Sequence, residues 1–219
     1  METKTLKIDI ISDTVCPWCF IGKRRLERAL AMRPDLSLDI TWRPFQLNPE
    51  MPADGIDRDL YLSLKFGDEK RAKQIYRAVG EAGAGENLDF NFAAMKRTPN
   101  TLKSHRLVHY AGLRGDQDPI VENLFRAYFF DGADIGDTAT LVEIAERSGL
   151  DGDAAREYLD SDKDLELIRA EDTRARQIGV NGVPCFIIAD SYAVSGAQEP
   201  EVFLQVFAVA EQARSEAAE

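Results

Sequence analysis

Strand and helix periodicities alternate over the first 45 residues of the chain. Leu6, Ile8 and Ile10 alternate with polar residues, and this period of two predicts a strand. Apolar residues then recur at helical spacing over residues 20–33, and strict alternation returns over residues 36–43. The order strand, helix, strand predicts a βαβ unit at the start of the fold.

Helical periodicity continues from about residue 57 to about residue 178, with few strand signals. Gly, Asp and Asn separate the periodic segments, as is typical of turns. We predict helices over residues 58–66, 69–81, 101–113, 120–130, 138–148, 153–159 and 162–177. Residues 89–92 are predicted to form a short extended segment between two of these helices.

The end of the chain returns to strand patterns. Residues 185–189 and 192–195 are compact apolar runs, and Asp190 and Ser191 are the turn of the hairpin that they predict. A helix is predicted over residues 200–214. The whole order predicts an α/β fold in which a helical segment divides one sheet.

This order suggests three parts of the chain. Residues 1–50 and 178–219 are expected to form the two halves of one domain, and residues 51–177 an all-helical insertion domain. With 219 residues, of which 44% are hydrophobic, the chain is long enough to bury a sizeable core without disulfides.

Charge and cysteine content exclude several classes of protein. The net charge of −11 argues against nucleic-acid binding, which needs clustered positive charge. No apolar run approaches the ~18 residues of a membrane span, and the N-terminus lacks a secretory pattern. We therefore expect a soluble cytoplasmic protein with no membrane partner. In a reducing cytosol, a close pair among its three cysteines is more typical of catalysis or metal binding than of a structural disulfide.

Cys16, Pro17, Trp18 and Cys19 form a C-x-x-C motif between the first strand and the first helix. Beside a βαβ unit, this motif is typical of thioredoxin-like redox sites. Free N–H groups and the dipole at a helix N-terminus favour an anion, so the motif predicts a stabilised Cys16 thiolate. We interpret Cys16 as the attacking, more exposed thiol and Cys19, one turn later, as the buried resolving thiol. Trp18 is expected to be an apolar platform beside the sulfur.

Metal binding is the main alternative for the two cysteines. Zinc needs four ligands, commonly in two paired clusters, and beyond the motif the chain offers only Cys185, His105 and His109 as cysteine or histidine ligands. We therefore expect no metal. The basic residues 23–25 are interpreted as a solvated helix face, with attraction of an anionic thiol such as glutathione as the alternative.

The motif and several later segments resemble the DsbA-like thioredoxin-fold family, in its FrnE-like branch. The chain is also similar to 2-hydroxychromene-2-carboxylate isomerases and kappa-class glutathione transferases. The matching segments are residues 12–23 (SDTVCPWCFIGK), 43–49 (RPFQLNP), 100–101 with 105–107 (NT and HRL), 179–184 (GVNGVP) and 195–198 (SGAQ). They are spread over nearly the whole chain.

The resemblance implies a thioredoxin fold with an inserted helical domain. It also implies that the Val183–Pro184 peptide bond is cis and faces the pair formed by Cys16 and Cys19. The backbone of Val183 is then exposed, so that a substrate segment can add as a short strand and align its sulfur with Cys16.

The chain departs from these relatives at two positions. In the isomerases and transferases a serine replaces the first cysteine and binds glutathione, so the two cysteines here favour dithiol redox chemistry. Cys185 follows the proline, where relatives usually carry Thr, Ala or Phe. We interpret Cys185 as a small buried hydrophobe, with a third redox thiol as the alternative. His105 is interpreted as a hydrogen-bonded structural histidine, with a cleft-lining role as its alternative.

Together these observations predict a thiol–disulfide oxidoreductase. Cys16 attacks a substrate disulfide and Cys19 resolves the mixed disulfide, in a reversible reaction. The expected partners are proteins or peptides that carry thiols or disulfides, with glutathione as a further co-substrate. No cofactor beyond the redox-active disulfide is expected, and the chain is a monomer or a homodimer. The alternatives are a glutathione-dependent isomerase or transferase and a non-enzymatic, chaperone-like binder.

Overall fold

The computed structural model describes residues 4–216 of the chain. Its strands are β1 (Lys4–Ser12), β2 (Leu36–Pro44), β3 (Ile56–Asp57), β4 (Arg97–Thr98), β5 (Cys185–Ile188) and β6 (Tyr192–Ser195). Its helices are α1 (Pro17–Ala31), α2 (Arg58–Phe66), α3 (Glu69–Ala84), α4 (Leu102–Gly112), α5 (Asp118–Phe129), α6 (Thr138–Arg147), α7 (Gly152–Asp160), α8 (Leu165–Gln177) and α9 (Pro200–Glu216). Over these residues, no helix combines the length and the apolar character that crossing a membrane requires.

Four strands form one mixed sheet in the order β2-β1-β5-β6. β1 pairs parallel with β2, and a parallel pair needs a crossover, which α1 supplies. β5 pairs antiparallel with both β1 and β6. The predicted α/β fold, with one sheet divided by a helical segment, is confirmed, because strands from both ends of the chain meet in this sheet.

The helical periodicity between the two halves of the sheet predicted α2 to α8, and all seven helices are present with small shifts at their ends. Residues 89–92, predicted to be a short extended segment between two helices, lie between α3 and β4 and belong to no helix or strand. The two rings of this loop, Phe90 and Phe92, both face Phe129, with centroid distances of 5.2 and 6.5 Å. Aromatic packing, not strand pairing, therefore explains the alternation of these rings. The two-residue strands β3 and β4, which pair with each other, are too short to produce a periodic signal.

Aromatic side chains join α1 to the helical segment. The ring of Phe20, on α1, stacks on that of Phe125, on α5, with 4.9 Å between centroids, and both residues are fully buried. Trp42, Tyr128 and Phe129 are buried as well. One continuous core therefore fixes α1, which carries the cysteine motif, against both the sheet and the helices.

Ion pairs make a second connection between α1 and the helical segment, and they correct the interpretation of residues 23–25 as a solvated face. The Lys23 side chain is only 5% exposed, and its Nζ lies 3.0 Å from Asp118 and 3.3 Å from Glu122. Burial lowers the pKa of Lys23, but the neighbouring carboxylates outweigh burial and raise it. Arg25 binds the buried carboxylate of Glu86 at 2.9 Å. These cations are neutralised within the chain.

Candidate active site

Cys16 is the residue that caps the N-terminus of α1. Its backbone is extended (φ −95°, ψ 112°), and Pro17 occupies the first helical turn, where a missing N–H breaks no helical hydrogen bond. The first turn of α1 contains no acidic residue, so the positive end of the helix dipole favours an anion at Cys16. Trp18 is 37% exposed while both cysteines are buried, and it therefore presents an open apolar ring at the site.

Cys19 lies one turn into α1 and has no exposed surface. Its N–H donates to the Cys16 carbonyl at 3.0 Å. Burial raises the pKa of the Cys19 thiol well above its ordinary value, and the adjacent Cys16 raises it further. Both cysteines are free thiols. Because its pKa is raised, the Cys19 thiol holds its proton at neutral pH.

The loop that precedes β5 lies directly against Cys16. The Val183–Pro184 peptide bond is cis, and the Cys16 thiol donates to the Val183 carbonyl over 3.6 Å, although 167 residues separate the two in the chain. A Cβ at Gly22 would lie 2.9 Å from the Pro184 ring. Only glycine allows α1 to approach the loop this closely, and this approach brings Val183 and Pro184 to the thiol.

Cys185 belongs to a different environment from the other two cysteines. It pairs in register with Ile11 and packs in a small cluster with Phe45, Ala175 and Val180. Successive side chains of a strand point to opposite faces, and the next residue, Phe186, faces α1. Cys185 therefore lies on the face of the sheet away from α1, and burial raises its pKa. This placement agrees with the interpretation of a small buried hydrophobe.

His105 lies beside the buried carboxylate of Asp13, a contact that no sequence pattern indicated. Its Nε2 lies 3.3 Å from Asp13 Oδ1, and both residues are nearly inaccessible to solvent. Asp13 also accepts from the backbone N–H of Leu47 at 2.7 Å and, through its main-chain carbonyl, from Cys16 at 3.0 Å. His105 lines a cavity of about 300 Å³ between α4 and β2. It is thus hydrogen-bonded, and it also lines a cleft.

Candidate metal ligands do not converge in the part of the chain that the structure covers, residues 4–216, where no group of three His, Cys, Asp or Glu side chains is arranged to hold an ion. His105 faces Asp13, whereas His109 lies 3.7 Å from Asp164. The two histidines therefore have separate acidic neighbours.

Comparisons with known proteins agree on one family. The family model for the DSBA-like thioredoxin domain matches residues 7–208. The uncharacterized protein YwbO of Bacillus subtilis (strain 168) is 26% identical over 200 residues, which cover 91% of this chain and 94% of that protein. The crystal structure of a probable DsbA oxidoreductase from Streptomyces coelicolor is 33% identical and covers 94% of this chain and 90% of its own, with a TM-score of 0.86. A 2-hydroxychromene-2-carboxylate isomerase shares the fold at 18% identity and a TM-score of 0.70, with 97% of this chain and 98% of its own covered.

Proposed function

Since the chain belongs to the DsbA-like thioredoxin domain family, we propose that it is a thiol–disulfide oxidoreductase whose reacting groups are Cys16 and Cys19. One observation carries this proposal. The Cys16 sulfur lies at the N-terminus of α1 and 3.6 Å from the Val183 carbonyl, with the buried thiol of Cys19 one turn behind it. A nucleophile, its resolving partner and a backbone segment for binding substrate thus meet at one point.

The two thiols have different roles in this reaction. The Cys16 thiolate attacks a substrate disulfide, forms a mixed disulfide and releases the first substrate thiolate. Cys19 then attacks the Cys16 sulfur, so that the Cys16–Cys19 disulfide forms as the bond to the substrate breaks. The reverse sequence oxidises a substrate dithiol. The high pKa of Cys19 supports this assignment, because a protonated thiol does not compete for the first attack.

The proposed substrates are peptide or protein disulfides of the cytoplasm. The Val183 backbone beside Cys16 offers a hydrogen-bonding edge for an extended substrate segment. Trp18, exposed next to the pair, offers an apolar surface to the same segment. A glutathione-dependent isomerase is the weaker candidate function, because the isomerases that this chain resembles carry a serine at the position of Cys16. In addition, the cations of Lys23 and Arg25 are held by carboxylates of the chain.

Equilibration in glutathione buffers tests the proposal. The protein is held at ratios from reducing to oxidising, free thiols are alkylated, and disulfides are mapped by peptide mass spectrometry. We expect one transition in which Cys16 and Cys19 become linked to each other while Cys185 stays alkylated. Absence of the Cys16–Cys19 disulfide at every ratio, or a native linkage of either cysteine to Cys185, would overturn the proposal.

A further inference from the structure

Cys16 is the last residue of a β-turn whose central residues are Thr14 and Val15. The N–H of Cys16 donates to the Asp13 carbonyl at 3.0 Å and closes this turn. Asp13 has no exposed surface, and Thr14 is only 3% exposed. Because the turn joins β1 to α1, its conformation sets the place of the Cys16 sulfur relative to the Val183 carbonyl, 3.6 Å away.

A buried hydroxyl bond connects this turn to the first turn of α4. Thr14 Oγ1 lies 2.7 Å from Ser104 Oγ, although 90 positions separate the two residues. Ser104 Oγ also donates to the Thr101 carbonyl at 2.8 Å. A hydroxyl carries one proton, so Ser104 accepts the proton of Thr14. The next residue, His105, lies 3.3 Å from Asp13, and two consecutive residues of α4 therefore hold two consecutive residues of the turn.

The first turns of α4 are themselves fixed to other parts of the fold. Asn100 donates to the Met51 carbonyl at 2.7 Å and accepts from the N–H of Leu102 at 2.9 Å. Arg106, two residues after Ser104, is 2% exposed and donates to four main-chain carbonyls around the end of α7. The start of α4 is therefore a rigid anchor that does not follow a displaced loop.

We propose that the hydroxyl bond between Thr14 and Ser104 positions the Cys16 sulfur for attack on an extended substrate. Both are positioning residues, because they act through the turn and not on a reacting atom. This inference rests on the proposed function and gives the helical segment a part in substrate alignment. A substrate held by the Val183 backbone has its sulfur at a fixed place, so a shift of about 1 Å at Cys16 costs up to about 100-fold in rate.

Reduction of two different disulfides separates positioning from nucleophilicity. One is a two-chain peptide joined by a disulfide, which can pair with the Val183 backbone. The other is 2-hydroxyethyl disulfide, which has no peptide backbone and can follow a displaced sulfur. For Thr14→Val and for Ser104→Ala we expect kcat/KM with the peptide to fall by about tenfold, while the rate with 2-hydroxyethyl disulfide stays at the wild-type value. Thr14→Ser retains the hydroxyl and is expected to keep the wild-type rate with the peptide.

The losses in the two single variants are not expected to multiply. Thr14→Val and Ser104→Ala break the same bond, so the double variant should lose about as much activity with the peptide as one single variant. Losses that multiply would show that the two hydroxyls act separately, and they would contradict the proposal.

Ser148→Ala is the matched control. Like that of Ser104, the Ser148 hydroxyl donates to a carbonyl of the adjoining helix, that of Ile144 at 2.8 Å. It also accepts from a side chain of another helix, the Nδ2 of Asn123 at 2.8 Å. These partners belong to α6 and α5 and not to the turn before Cys16. We therefore expect Ser148→Ala to reduce both disulfides at the wild-type rate.

Folding of every variant is checked by circular dichroism, and if Thr14→Val fails to fold, Ser104→Ala carries the same criteria. Three results would contradict the positioning role while leaving the oxidoreductase intact. They are wild-type rates with the peptide in the folded variants, an equal fall with both disulfides, and an equal effect of Ser148→Ala. A wild-type protein that reduces neither disulfide would instead refute the proposed function.

Discussion

Replacement of Cys16 by serine is expected to abolish disulfide reduction. A serine hydroxyl is not ionised at neutral pH, so the N-terminus of α1 has no anion to stabilise and the first attack does not occur. We expect the rate of insulin-disulfide reduction, with dithiothreitol as electron donor, to fall by at least about a thousandfold, to that of the donor alone.

Cys185→Ala is the matched control for this substitution. Cys185 is also a buried cysteine, but it lies on the face of the sheet away from α1, so its removal is expected to leave the rate unchanged. Retention of activity in Cys16→Ser would exclude Cys16 as the nucleophile. Loss of activity in a folded Cys185→Ala would show that the third thiol takes part.

Replacement of Arg106 by methionine is expected to destabilise the fold more than any surface substitution. Arg106 is 2% exposed, and its guanidinium donates to four main-chain carbonyls at the end of α7 and in the loop that follows. These bonds reach Lys163 at 3.0 Å, Leu159 at 3.1 Å, Tyr158 at 2.7 Å and Ser161 at 2.7 Å. Methionine removes all four bonds, of which those to Leu159 and Tyr158 are buried. The Tyr158 carbonyl keeps the Ser161 hydroxyl as a donor, whereas the Leu159 carbonyl loses its guanidinium donor, and a buried acceptor left without a donor costs about 1–3 kcal/mol.

We expect the free energy of unfolding of Arg106→Met, measured by urea denaturation, to fall by about 3–5 kcal/mol. Arg114→Met is the control, because Arg114 is exposed and donates to one carbonyl, that of Tyr110 at 3.1 Å. Its cation–π contact with the Tyr110 ring contributes at most about 1 kcal/mol. Equal losses in the two variants would contradict the structural role assigned to Arg106.

Local patterns were sufficient to predict the helices, the four strands of the main sheet and the position of the cysteine motif, but not the short strands β3 and β4. Helix and strand periods depend on residues a few positions apart, and they predicted α2 to α8 and the hairpin of β5 and β6. The position of Cys16 at a helix start follows from Pro17 and the apolar spacing after it. The contact of Val183 with Cys16 was expected only from the family resemblance, since no local pattern links residues 167 positions apart.

The electrostatic part of the site was not predictable, because it depends on distant partners. The sequence around Lys23 and Arg25 does not reveal whether water or carboxylates surround their side chains. Their partners are distant in the chain: Asp118 lies at the start of α5 and Glu86 in the turn after α3. Asp13 had no signal beyond being an acidic loop residue, since its partner His105 is 92 positions away.

The alternation of side chains along β5 explains the placement of Cys185. Its position next to Pro184 suggested proximity to the active pair, yet Pro184 approaches Gly22 of α1 while Cys185 packs with Phe45 and Val180. Side chains alternate across a strand, so the residue after one that faces α1 is expected on the opposite face. The strand period therefore favours a structural cysteine at this position.

Trapping of the mixed disulfide tests the central claim most directly. In Cys19→Ser, Cys16 attacks but nothing resolves the adduct, so a disulfide-containing peptide should remain attached. We predict one peptide per chain, located on Cys16 by mass spectrometry and released by dithiothreitol, with no adduct in the double variant Cys16→Ser/Cys19→Ser. An adduct on Cys185, or no adduct in Cys19→Ser, would contradict the assignment of Cys16 as the nucleophile and Cys19 as the resolving thiol.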